Sequence, residues 1–164
     1  HRLFRRQRQM CIRDRCISNN FIGNTFNSNI RRKDTSLMEI GSSPSLMPEL
    51  SLMENIKYFL FNDNINEKMI TNVLNKYELE SFKSDLVRDF SSGMIKRSEI
   101  AIADLKNPKV LCIDEPRVYL DENGVDLLLN LITKREKEGS TSILSSQESI
   151  GAFTSIERSF NLDD

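Results

Sequence analysis

Asp114 and Glu115 stand side by side at the end of an apolar run, Val110-Leu111-Cys112-Ile113, and Pro116 follows them. Carboxylates avoid burial unless they are paired or bind a metal. Two of them at the end of a buried strand suit two linked tasks. One can hold the hydrated shell of Mg2+, and the other can take a proton from an attacking water. The plainer alternative is a strand followed by a capped turn. A second run, Thr141 to Leu144, leads into Ser145-Ser146-Gln147. Further upstream, Ser91, Ser92 and Gly93 precede a helical pattern, where a serine can cap the helix.

These residues need elements to hold them. Met94, Ile95, Ala101, Ile102 and Leu105 predict a helix that begins at Ser91 or Ser92 and ends at Asn107-Pro108. Val110–Ile113 reads as a fully buried strand. Asp121 opens a helix carrying Val125, Leu128, Leu129 and Ile132, with Gly139 as its stop, and Thr141–Leu144 is the next strand. Phe160-Asn161-Leu162 is a last apolar stretch. Earlier, Leu52, Ile56, Phe59 and Leu60 mark one helix, Met69, Val73 and Leu74 a second, and Leu79, Phe82 and Leu86 a third. All these stripes are expected to be core faces. Pro44 and Pro48 keep their segment extended, and Gly23-Asn24 marks a turn in a polar lead-in over residues 16–36. Apolar strands alternating with helices describe a parallel sheet covered by helices. Chemistry in such sheets gathers at the carboxyl ends of the strands, where Asp114, Glu115 and Gln147 fall.

Composition narrows the options further. The chain has 164 residues, 38% hydrophobic and 29% charged, as in an ordinary globular domain. No apolar run reaches membrane-span length. Cys11, Cys16 and Cys112 lack metal-ligand spacing and His1 is the sole histidine, which argues against zinc and against a histidine-based triad. Cys112 is expected to be buried and reduced. The net charge of −1 conceals six arginines within residues 1–15, against Asp14 alone. A run of this kind can belong to a nucleic-acid arm or to a transit peptide. Here, however, Arg5-Arg6-Gln7-Arg8-Gln9-Met10-Cys11-Ile12-Arg13-Asp14-Arg15 resembles the translation of a transposase-type sequencing adapter. Residues 1–15 are therefore expected to be foreign sequence that makes almost no contacts.

From Phe90-Ser91-Ser92-Gly93-Met94 to Leu120-Asp121 the sequence resembles the ABC-transporter ATPases without a gap. The family pattern runs from a signature of the LSGGQ type through a helix to Asn-Pro, an apolar strand, Asp-Glu-Pro, and a loop ending in Leu-Asp. Pro44 through Pro48, Glu49-Leu50-Ser51 and Glu54-Asn55 resemble the segment after the family's glutamine loop. Gly139 to Gln147 resembles the strand leading to the switch histidine. The resemblance covers about residues 37–164. It implies a P-loop NTPase α/β fold with a parallel sheet: a partial ABC ATPase domain over 16–164, with a helical subdomain at about 50–106 and a sheet portion at about 107–164.

The resemblance also implies roles. Asp114 would lie near Mg2+, and Glu115 would be the general base, with Gln147 in the switch position. Ser91, Ser92 and Gly93 would meet the γ-phosphate of ATP held by a second ATPase subunit, and Asp121 would belong to the loop linking the two sites. The partners implied are that second subunit and a membrane-spanning transporter subunit rather than nucleic acid, with the protein peripheral at the cytoplasmic face of a membrane. Glu49-Leu50-Ser51 ahead of Glu54-Asn55 resembles the haem-exporter ATPases of cytochrome c maturation.

Several positions depart from the pattern. Ser92 replaces the first signature glycine, and Arg117 a small residue. Ile102 stands where arginine is usual, at the expected cost of a surface ion pair at most. Ser42 and Gln147 stand where the loop glutamine and the histidine are expected, and glutamine cannot switch charge. The sequence contains no Gly-x-x-x-x-Gly-Lys-Ser/Thr loop to cradle phosphates. Two expectations follow. One is a truncated ATPase subunit, inactive as it stands; the other is a non-catalytic, degenerate module acting as a dimerisation or regulatory partner.

Overall fold

The computed structural model describes residues 37–41, 43–61 and 63–146. The expectations placed on residues 1–36, Ser42, Gln147 and Phe160–Leu162 lie outside them. Three parallel strands, β1 (Leu37–Ile40), β2 (Val110–Asp114) and β3 (Thr141–Ser145), form a sheet in the order β1-β2-β3. Helices α1 (Leu52–Phe59), α2 (Glu67–Lys76) and α3 (Ser92–Lys106) lie between β1 and β2, and α4 (Glu122–Lys137) connects β2 to β3.

The central strand β2 is buried from Val110 to Ile113, as its unbroken apolar run requires. Cys112 is buried there, as expected. β1 is a strand that the sequence pattern does not announce. Its four residues alternate, with Leu37 and Glu39 exposed and Met38 and Ile40 buried, so it presents a half-apolar pattern too short to stand out. Pairing with β2, Leu37 opposite Val110 through Ile40 opposite Ile113, makes it a strand.

Helix α3 is the hub of the fold, for every residue from Ser98 to Leu105 is buried. A helix enclosed on all sides must be apolar or have its polar groups partnered. Ser98 donates to Met94 O at 2.7 Å, Glu99 accepts from Ser45, and Asp104 accepts from Lys76 and Lys134. This enclosure corrects one expectation. Ile102 is fully buried rather than on the surface, so the residue there is set by packing and not by an ion pair.

Local signals fix the helix ends. Ser51 and Glu54 close a capping box at α1, Ser91 caps α3, and Asp121 caps α4. Asn107 ends α3 in the left-handed conformation, and Gly139, at φ 73°, ends α4. The third upstream helix does not form. Leu79–Phe90 instead holds two 3₁₀ turns, Glu80–Phe82 and Val87–Asp89. The amides of Val87 and Arg88 bond back to Leu50 O and Pro48 O, both at 3.0 Å, which removes them from any intrahelical ladder. Two apolar residues of these patterns, Met69 and Phe82, are exposed rather than core.

Candidate functional site

The carboxyl edge of the sheet brings together residues from three elements. Asp114 ends β2, and its Oδ1 accepts a hydrogen bond from Ser145 Oγ of β3 at 2.8 Å. The Glu115 amide continues the β2–β3 ladder by donating to Ser145 O at 2.8 Å. Glu115 then turns into the left-handed region at φ 48°, which a non-glycine residue enters only at some cost. That turn takes the chain out of the strand, and Glu115 Oε2 accepts from Ser146 Oγ at 3.1 Å. Both carboxylates are half-buried at the sheet edge.

α3 approaches the same edge with two buried ionisable side chains that spacing along the chain does not single out. Lys96 donates to Gly41 O and Asp114 O, each at 3.3 Å. Burial pushes its ammonium below the ordinary range, against the attraction of Glu99, Asp114 and Glu115. Burial pushes the Glu99 carboxyl up, against the hydrogen bonds from Ser45 and the charge of Lys96. In the sequence the lysine is legible only as one more polar residue of an amphipathic helix.

The second group of expected residues surrounds the start of α3. Ser91 Oγ accepts from the Met94 amide at 3.2 Å. No acidic residue occupies the first turn of α3, whereas α1, α2 and α4 each carry one there. The positive end of the α3 dipole thus has no acid in its own first turn, an arrangement that favours an anionic ligand. Ser91, Gly93, Arg97, Tyr119 and Asp121 line a cleft of about 520 Å3 beside it. Ser92 is exposed as the first residue of the helix. A Cβ on Gly93 would come within 3.0 Å of Tyr119 O, so glycine is what allows the helix start to approach that loop. Arg97 pairs with Asp121 at 2.6 Å and with Glu78 at 2.7 Å.

The two groups are therefore distinct. Asp114 and Glu115 stand together at the sheet edge, while Ser91, Gly93 and Asp121 stand together at the α3 cleft. Gln147 lies outside the described residues, as does Ser42. Among the described residues no cluster of three or more His, Cys, Asp or Glu side chains forms a metal cage. Asp114, a hard oxygen donor at the sheet edge, does fit Mg2+, which keeps several waters and takes one or two carboxylates besides phosphate oxygens.

The sequence profile of the ABC transporter family matches residues 12–118. A lantibiotic transport ATP-binding protein of Streptococcus pyogenes is 34% identical over 126 residues, 77% of this chain and 54% of that protein. A cytochrome c biogenesis ATP-binding export protein of Histophilus somni is 28% identical over 126 residues, 76% of this chain and 58% of its own length. The chain thus spans about half the length of these curated relatives. Among solved structures, the ATP-binding cassette MJ0796, a dimer bound to ADP and Pi, superposes with a TM-score of 0.60 at 24% identity, over 69% of this chain and 53% of that one. That likeness shows the fold, the parallel α/β sheet of an ABC-type P-loop NTPase. With the profile match covering residues 12–118, more than half of the sequence and including Asp114 and Glu115, the chain belongs to the ABC transporter family.

Proposed function

We propose that the chain forms part of an ATP-binding and ATP-hydrolysing subunit that drives transport through a separate membrane-spanning subunit. The observation that supports this most directly is the placement of Asp114 and Glu115 at the carboxyl end of the central parallel strand. In this reading Asp114 serves Mg2+ and Glu115 accepts a proton from the attacking water. Gln147 offers a hydrogen bond to phosphate. Ser91, Ser92 and Gly93, at the exposed positive end of α3, receive the γ-phosphate of ATP carried by a second ATPase subunit, and Asp121 joins the two sites. ATP is the substrate, and Mg2+ supplies charge neutralisation when bound. No described helix is long and apolar enough to cross a membrane, and the proposed location is peripheral, at the cytoplasmic face.

Haem export is the narrower form of the proposal. Glu49-Leu50-Ser51 ahead of Glu54-Asn55 supports it, as does the cytochrome c biogenesis relative. The lantibiotic transport relative, at 34% identity, points to a different cargo. A second reading, a non-catalytic module acting through dimerisation or regulation, is favoured by Ser42 in place of the loop glutamine and by Gln147 in place of histidine.

One experiment separates the two. The strand–phosphate-loop–helix unit of a relative is joined ahead of Leu37, and ATP turnover is measured for this chimera and its Glu115→Gln variant. The proposal expects turnover by the parent and a loss of about 10²–10⁴-fold in the variant. Equal rates would remove Glu115 as the base. A folded, nucleotide-binding parent without turnover would favour the non-catalytic module.

A further inference from the structure

Lys96 has no part in the roles above, yet it is only 4% exposed. Its ammonium lies between two strand ends. The β1–β2 register stops at Ile40 opposite Ile113, and the two carbonyls that Lys96 bonds belong to the next residues along, Gly41 and Asp114. One turn further along α3, Glu99 takes the Ser45 amide at 2.7 Å and the Ser45 hydroxyl at 2.8 Å on a single oxygen. Residues three apart share a helix face, so Lys96 and Glu99 together grip the chain after β1 at two points. Lys96 also ties that chain to the end of β2 at Asp114, next to Glu115.

Packing alone does not call for a lysine here. A long apolar side chain would fill the same volume without removing a charge from water. The ammonium stands beside Glu99, Asp114 and Glu115, whose charges offset its burial only in part.

We propose that Lys96 is a positioning residue for the Asp114–Glu115 pair. Its ammonium fixes the end of β2 to the chain leaving β1 and thereby sets where the two carboxylates stand. The catalytic meaning of that position rests on the ATPase reading above; the positioning itself does not.

The test uses amide hydrogen exchange followed by NMR on the full chain, comparing the parent with Lys96→Met and Lys96→Arg. Methionine keeps most of the length and removes the donors, whereas arginine keeps charge and donors. The Glu115 amide, bonded to Ser145 O, and the Ser45 amide, bonded to Glu99, report on the site. Leu74, buried in α2, reports on the rest. In Lys96→Met the two site amides are expected to exchange about tenfold faster or more, with Leu74 within about twofold, and arginine should recover most of the protection. Unchanged exchange at Glu115 and Ser45, or an equal rise at Leu74, would overturn the proposal. Should the methionine variant fail to fold, Lys96→Leu, which also lacks donors, is read by the same criteria.

In the phosphate-loop chimera, Lys96→Met should lower kcat and leave KM for ATP nearly unchanged, with Lys96→Arg restoring kcat. An active chimera indifferent to Lys96→Met would also overturn the role. An inactive parent chimera would count against the ATPase reading, and the exchange data would still decide for or against Lys96.

Discussion

The guanidinium of Arg97 lies 2.6 Å from the carboxylate of Asp121, fastening the second turn of α3 to the N-cap of α4. The same carboxylate caps α4 through its other oxygen, which accepts from the Gly124 amide at 2.8 Å. Arg97 follows Lys96, so adjacent residues of one helix reach the cleft and the sheet edge.

The two functions of Asp121 can be separated by substitution. Asp121→Asn keeps a capping oxygen and loses the ion pair, while Asp121→Ala loses both. Thermal melts should rank the parent above Asn and Asn above Ala. The gap between parent and Asn should close in molar salt, because exposed pairs are screened. The gap between Asn and Ala should persist, since a cap hydrogen bond is not screened in this way.

Asp104 gives the fold a dependence on acid. Its carboxylate accepts from Lys76 at 2.8 Å, Lys134 at 2.9 Å and the Tyr77 hydroxyl at 3.2 Å, joining α2, α3 and α4. Burial pushes this carboxyl up, but the hydrogen bonds and charges of Lys76 and Lys134 outweigh it and hold it below the usual carboxylate range. Burial and the neighbouring Asp104 charge push the Tyr77 hydroxyl up, keeping it a donor. A depressed folded-state value contributes stability that is complete above the ordinary aspartate value of about 3.9. That stability is lost as pH falls through the depressed value. Denaturant unfolding of the parent should weaken over this acid range, and Asp104→Asn should flatten the dependence while costing about 2 kcal/mol at neutral pH. An unchanged acid limb would remove Asp104 as its source.

Ile102 provides a test of burial against family pattern. Restoring the arginine usual in the family should harm this chain, because the position is fully enclosed. Ile102→Arg is expected to destabilise by about 3 kcal/mol or more, as for an unpaired charge forced into a core. Chemical denaturation measures it. A variant as stable as the parent would mean that the side chain reaches water.

Nucleotide binding gives a fourth expectation. The described residues offer carboxylates and a helix terminus, and the sequence contains no phosphate-loop motif. Mg-ATP should therefore leave the melting temperature of the full chain unchanged. A ligand at a hundred times its dissociation constant would add about 2.7 kcal/mol, a rise that a thermal melt resolves readily. Such a rise would point to a phosphate site elsewhere in the chain.

Elements with local signals could be read from the residues directly. An unbroken apolar run followed by two acids dictated β2 and its carboxylate end. Serine and aspartate caps dictated where α3 and α4 begin, and Asn107-Pro108 and Gly139 where they stop. In each case neighbouring residues satisfy one another, so spacing along the chain carries the information. Features that depend on distant partners emerged with the packed fold alone. β1 exists because β2 pairs with it, and Leu79–Phe90 avoids a helix because Leu50 and Pro48 claim its amides. Ile102 is interior because α3 is enclosed on every side from Ser98 to Leu105. Lys96 and Arg97 look alike as two basic residues in a helix, yet one is 4% exposed against two strand ends and the other faces an open cleft. Burial and the pairing of charges are properties of the surroundings, and for Lys96 those surroundings include Gly41, 55 positions away.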